Sequence, residues 1–152
     1  LPVNAPGSSR LALLGVGMIG GSLALALRRG GAVHHVVGYD HHPPALEQAL
    51  ALQVIDEAAG NVTAAVAAAD LVLLAVPLDS CAALLAELAP LLPATAVVSD
   101  VGSAKVAVVA QARAALGDAF ARFVPGHPIA GNERSGVAAA RPDLFDGCRV
   151  IL

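Results

Sequence analysis

A chain of 152 residues is the size of one domain, long enough to bury a core covering about two-thirds of the surface that its unfolded form exposes. Its composition is 57% hydrophobic and only 3% aromatic, so the core must be built from Ala, Val and Leu, whose small side chains suit helices packed closely on a parallel sheet. A net charge of −3 without any Lys/Arg cluster leaves no footprint for nucleic acid or an anionic membrane surface, so partners are expected among small molecules and proteins.

Residues 1–9, with two prolines, a glycine and two serines, read as a flexible leader, and residues 10–152 as one domain. Residues 11–27 carry no charge, with Arg10 before them and Arg28-Arg29 after, a pattern shared by signal peptides and short membrane spans. Four glycines and Ser22 inside the run, and arginines where a cleavage site belongs, argue against both. The run reads instead as an apolar strand, the glycine turn Gly15-Val16-Gly17-Met18-Ile19-Gly20, and an apolar helix. A second strand, Val36-Val37-Gly38-Tyr39, ends on Asp40, 20 residues after Gly20.

That order is the dinucleotide-binding fingerprint, and each part has a mechanical reason. Gly15 permits the tight turn, Gly17 lets backbone approach a pyrophosphate, and Gly20 lets the helix pack on the strand. The backbone of Met18 and Ile19 opens the helix, where unpaired N–H groups and the positive end of the dipole favour an anion. Asp40 stands where a carboxylate receives the ribose hydroxyls, and it would repel a 2′-phosphate. NAD is therefore expected over NADP, although His41 and His42 would soften that preference when protonated.

Beyond Asp40 the alternation continues. Pro43-Pro44 opens a helix to about Leu52, Val54-Ile55 offers at best a short strand, and residues 62–69 form a short helix ending at Asp70. Residues 71–76, apolar on both alternating faces and stopped by Pro77, suit a central parallel strand. A helix over 79–92 with Asp79 or Ser80 as its cap, a strand over 94–99, a helix over 103–116 and a short strand over 122–124 follow, with one more strand over 148–152. Six or seven strands alternating with helices give an α/β fold: a doubly wound, mainly parallel sheet of the Rossmann type with helices on both faces. Its ligand belongs beyond the carboxyl ends of the strands, where the glycine turn, Asp40, Val76-Pro77, residues 100–103 and residues 125–133 fall. Cys81 and Cys148 lack metal-ligand or C-x-x-C spacing and read as buried small hydrophobes in a reducing cytoplasm. His34, His35, His41 and His42 read as solvated turn residues, so no metal is expected.

The most unusual turn is Pro125-Gly126-His127-Pro128-Ile129-Ala130-Gly131-Asn132-Glu133-Arg134-Ser135-Gly136, where prolines and glycines fix an irregular path from which a histidine and a glutamate project. It resembles the G-H-P-[IM]-A-G-x-E-x-S-G segment of the prephenate and arogenate dehydrogenases, the TyrA family of tyrosine biosynthesis. Gly15 to Ser22 is similar to that family's G-x-G-x-x-G-G-S turn, and Asp100-Val101-Gly102-Ser103-Ala104-Lys105 to its D-x-G-S-x-K segment. The resemblance implies NAD-dependent oxidative decarboxylation: hydride leaves C4 of prephenate, carbon dioxide is lost from C1, and the ring becomes aromatic. Arogenate would give tyrosine directly.

By this resemblance His127 is the base beside the C4 hydroxyl, Ser103 hydrogen-bonds and orients its imidazole, and Asn132 and Glu133 lie at the substrate site. Val76 and Pro77 join the glycine turn in holding the cofactor. Simpler readings stand beside these: Ser103 as a helix N-cap, Glu133 as a surface acid beside Arg134, Lys105 as a solvated first-turn lysine. Family members continue into a helical domain that supplies the dimer interface and grips the substrate carboxylates. The resemblance thus implies a homodimer when that domain is present, and an isolated chain that binds NAD but turns over prephenate negligibly. Two other classes share the glycine turn: a β-hydroxyacid dehydrogenase, which would not need His127, and a non-catalytic NAD-binding module.

Overall fold

Alternation of apolar side chains along the strands divides the molecule into two hydrophobic layers. The protein is described by a computed structural model over residues 9–130 and 134–152. Strand β1 (Arg10–Leu14) is central: Leu11 and Leu13 face one layer with α1 (Met18–Arg29) and α2 (Pro43–Ala51), while Ala12 and Leu14 face the other. That second layer is closed by α3 (Val62–Val66), α4 (Leu78–Leu88) and α5 (Lys105–Leu116). Both faces of β1 are fully buried, which accounts for its unbroken apolar sequence.

The sheet has six strands in the order β3-β2-β1-β4-β5-β6, every pairing parallel. Its members besides β1 are β2 (His35–Tyr39), β3 (Glu57–Ala58), β4 (Leu71–Leu74), β5 (Val97–Asp100) and β6 (Phe123–Val124). This is the doubly wound dinucleotide-binding order, and its switch point lies between β1 and β4. Tight packing explains the small residues of α1: Gly20, Gly21, Ser22 and Ala24 are all buried.

Several elements differ from the sequence expectation. Val54-Ile55 is buried but not a strand: Ile55 packs on Gly38, where a Cβ would lie 2.8 Å from its Cδ1. Pairing starts just after it, at Asp56 N–H to Val36 O, so β3 is displaced downstream. Helix α4 has Pro77, not Asp79 or Ser80, at its N-cap, and Asp79 sits in the first turn, where its charge complements the dipole. Its α-helical part stops at Leu88, and Pro90 diverts Ala89–Leu91 into a 3₁₀ turn. The last apolar segment does not extend the sheet. Strand β8 (Val150–Ile151) pairs antiparallel with β7 (His127–Pro128) as a separate two-stranded ribbon.

Candidate active site

The three glycines of the first turn meet three different surroundings. Gly15 has φ +96°, and a Cβ on it would stand 2.4 Å from the Ala75 carbonyl oxygen. Gly20 is pressed against the sheet: a Cβ would lie 2.7 Å from both Ala75 Cβ and Gly15 O. Gly17 is the opposite, with nothing within 4 Å of a Cβ position, and no side chain caps the helix it opens. The result is an open approach to uncapped helical N–H groups, the physical form of an anion site.

Asp40 is bound to this turn directly. Its Oδ2 accepts the Val16 N–H at 2.8 Å and its Oδ1 the His42 N–H at 2.9 Å, so one carboxylate ties the glycine turn to the start of α2. Sequence reasoning placed Asp40 at a ribose but missed this second role. A cleft of about 350 Å³ opens beside it, lined by Gly15, Gly17, Asp40, Val76 and Pro77 among the expected residues, by His41, which was expected to bear on cofactor preference, and by Tyr39 and Leu84, which were not expected. A second cleft of about 440 Å³ lies across Val76-Pro77 and is lined by Ile19, Asp100, Gly102, Ser103 and Cys81. Val76 and Pro77 thus wall both. Met18 lines neither of these two clefts, and its side chain is buried.

The organising group at the end of β5 is Asp100, buried to 3% exposure. Its Oδ2 accepts the Gly102 N–H at 2.8 Å and its Oδ1 the Gly126 N–H at 3.2 Å. Lys105 Nζ pairs with the same carboxylate and donates to Gly126 O at 2.7 Å. Lys105 is therefore not a solvated first-turn lysine but the counter-ion of a buried acid. Gly102 and Gly126 immediately precede Ser103 and His127, so one carboxylate gathers the backbone leading into both residues. Sequence reasoning matched Asp100 and Lys105 as motif positions and gave them no work. The available signal was an acid and a lysine five apart across a strand end.

Ser103 is exposed at the rim of the second cleft and is not the helix cap; α5 starts two residues later, with Ala104 at its N-cap. His127 is half-buried in β7, paired in register with Ile151. Among the described residues no hydrogen bond joins the two side chains. Asn132 and Glu133 fall outside the described residues. Cys81 is buried as expected, and burial pushes its thiol up, with the Asp100 charge adding to that and Lys105 opposing it; Cys148 is exposed, unlike the expectation. Among the described residues no group of His, Cys, Asp and Glu is arranged to hold a metal, and no helix is long and apolar enough to cross a membrane.

Residues 23–152 match the family model described as prephenate dehydrogenase, nucleotide-binding domain. The chain belongs to this family. It is 38% identical to prephenate dehydrogenase of Bacillus subtilis (strain 168), over 92% of this chain and 38% of that protein. It is 35% identical to cyclohexadienyl dehydrogenase of Zymomonas mobilis, over 93% of this chain and 48% of that one. Among solved structures it is similar to prephenate dehydrogenase from A. aeolicus in complex with hydroxyphenyl propionate and NAD+, with a TM-score of 0.86 and 34% identity, covering 97% of this chain and 51% of that one. The chain thus spans about half or less of the length of these relatives.

Proposed function

We propose that this domain binds NAD and supplies the cofactor half and the base of a prephenate dehydrogenase, or of a cyclohexadienyl or arogenate dehydrogenase, in tyrosine biosynthesis. The observation that supports the reading is the Asp100 node: a carboxylate that lines the second cleft holds both the backbone before Ser103 and the backbone before His127. The glycine turn and Asp40 fit the adenosine and pyrophosphate part of the cofactor, and Ile19, Val76 and Pro77 the nicotinamide part. Open space at Gly17 and the uncapped first turn of α1 support that fit. A carboxylate at Asp40 favours NAD over NADP. The relative solved with NAD+ agrees in kind.

When bound, the nicotinamide ring supplies the hydride acceptor. His127 takes the hydroxyl proton from the substrate as hydride departs, which prevents full positive charge from developing at that carbon. Only the neutral imidazole can accept that proton. Ser103 holds the ring's tautomer and orientation in the ternary complex, where catalytic hydrogen bonds tighten. Asn132 and Glu133 border the substrate. The helical domain expected from the family resemblance contributes the dimer interface and the cations that grip the substrate carboxylates, and the cytoplasm is the compartment.

Replacement His127→Asn in the protein as encoded tests the reading. Prephenate and arogenate oxidation should fall by about 100-fold or more while NAD affinity stays within about twofold, since general-base contributions run to roughly 10²–10⁴. An unchanged rate removes His127 as the base.

A further inference from the structure

The family-like turn continues past Gly20 into Gly21-Ser22, which line neither cleft. Both face the segment that returns from the His127 loop. Ser22, fully buried, accepts the Arg141 N–H on its Oγ at 3.0 Å. A Cβ on Gly21 would lie 3.0 Å from Ala140 Cβ and 3.2 Å from Val54 Cγ1, so Gly21 is the recess that lets this segment lie against α1. Val137, 2% exposed, is part of the same apolar layer as α1 and α2. Farther along, Arg29 pairs with Asp146 at 2.5 Å, but both side chains are about half exposed, so this pair contributes little.

The ribbon β7–β8 is not hydrogen-bonded into the six-stranded sheet. Asp100 and Lys105 hold the entry to β7 through Gly126. Strand β8 is held to β7 by the His127–Ile151 and Pro128–Val150 pairs, with Ile129 N–H on Arg149 O at 2.9 Å beside them, and reaches that place through residues 137–149. The docking of those residues on α1 therefore sets where β8 lies, and with it one side of the strand carrying His127.

We propose that Gly21 and Ser22 are positioning residues: they dock the returning segment on the helix that opens the cofactor site, and so register His127 against the bound nicotinamide. The proposal rests on His127 being the base. It makes the helix that receives the pyrophosphate also the seat of the loop that delivers the base.

The test compares Ser22→Ala, Gly21→Ala and the double variant Gly21→Ala/Ala140→Gly, which moves a methyl from one side of the contact to the other. Three quantities are read: amide exchange at residues 127–129 and 137–151, NAD affinity by calorimetry, and kcat with prephenate and arogenate. Ser22→Ala removes the buried acceptor of the Arg141 N–H, so exchange at Arg141, Ile129 and Ile151 should rise about tenfold and kcat fall about tenfold, with the dissociation constant and KM for NAD within about twofold. Gly21→Ala should act in the same direction and the double variant recover most of the loss, so a misfolded Ser22 variant leaves the Gly21 pair to decide. Faster exchange at Arg141 with residues 127–129 and kcat unmoved overturns the proposal. So does a loss of NAD affinity equal to the loss of kcat. If the parent oxidises neither substrate, the reading of function fails, and the exchange pattern at residues 127–129 alone decides whether docking governs the position of His127.

Discussion

Gly17 and Gly20 belong to one motif yet should fail in opposite ways when a methyl is added. At Gly17 the backbone is at φ −108° and ψ −166°, open to any residue, and a Cβ meets nothing within 4 Å. Gly17→Ala gains from a stiffer unfolded chain and loses a favoured cap residue, terms of roughly 0.5–1 kcal/mol that oppose each other, so stability should hold within about 1 kcal/mol. The methyl then occupies the space through which a pyrophosphate reaches the helix N–H groups. Losing one such charge-assisted contact costs about 1.5–3 kcal/mol, a loss of roughly 10- to 100-fold in NAD affinity. At Gly20 the same methyl lands 2.7 Å from Ala75 Cβ and Gly15 O and 2.9 Å from Leu13 Cδ1. Overpacking of about 1–3 kcal/mol there exceeds the helix-propensity gain of up to about 1 kcal/mol, so Gly20→Ala should lower the melting temperature by roughly 2–8 °C. Thermal unfolding and calorimetric titration with NAD measure both variants. If Gly17→Ala binds NAD like the parent, the phosphates do not pass that glycine and the assignment of the turn is wrong.

Other perturbations isolate other parts of the site. Lys105→Met leaves the buried Asp100 carboxylate without its counter-ion and should cost about 2–4 kcal/mol in urea unfolding, whereas adding Asp100→Asn should recover part of it; a loss under about 0.5 kcal/mol would show the pair to be incidental. Asp40→Asn keeps an oxygen acceptor for one of its two backbone partners but removes the charge, so NAD should weaken by about tenfold or more and NADP by less; equal losses would assign Asp40 only to holding the turn. Cys148 should alkylate readily in the native protein and Cys81 only on unfolding, as mass spectrometry of digests after iodoacetamide treatment would read; equal labelling contradicts the burial of Cys81. The raised Cys81 thiol also fixes a sign. The folded state keeps a proton that the unfolded state releases, so stability should fall as pH rises through the thiol range, and Cys81→Ala should flatten that slope.

The sheet was legible because its strands are buried on both faces and therefore write themselves as unbroken apolar runs. Leu11 to Leu14 needed no periodicity to be found. Val54-Ile55 misled for the same reason: burial against Gly38 demands apolar side chains whether or not the backbone joins the ladder. Residues 148–152 carry an apolar signature, yet their partner is His127–Pro128, a pairing that depends on where the chain between them docks. Helix ends were the least legible. Ser103 looks like a cap, but Asp100 takes the Gly102 N–H and draws the chain into a turn before α5 can begin.

Within the site, residues whose chemistry faces the expected ligand were readable, and residues that hold other residues were not. Gly15, Gly17 and Asp40 announce themselves through a spacing imposed by the ligand. Asp100, Lys105 and Ser22 have no such spacing. The Asp100–Lys105 pair itself is local, but the partners that give these residues their holding role, Gly126 and Arg141, lie 26, 21 and 119 residues away, and a contact at that separation leaves no local trace in one sequence. Asp40 stands between the two classes. The carboxylate proposed to select the ribose also accepts the Val16 and His42 amides, so on that reading cofactor preference cannot be changed at this position without also perturbing the turn. A substitution meant to admit NADP must therefore retain an acceptor for Val16 N–H. Asparagine meets that requirement; alanine does not.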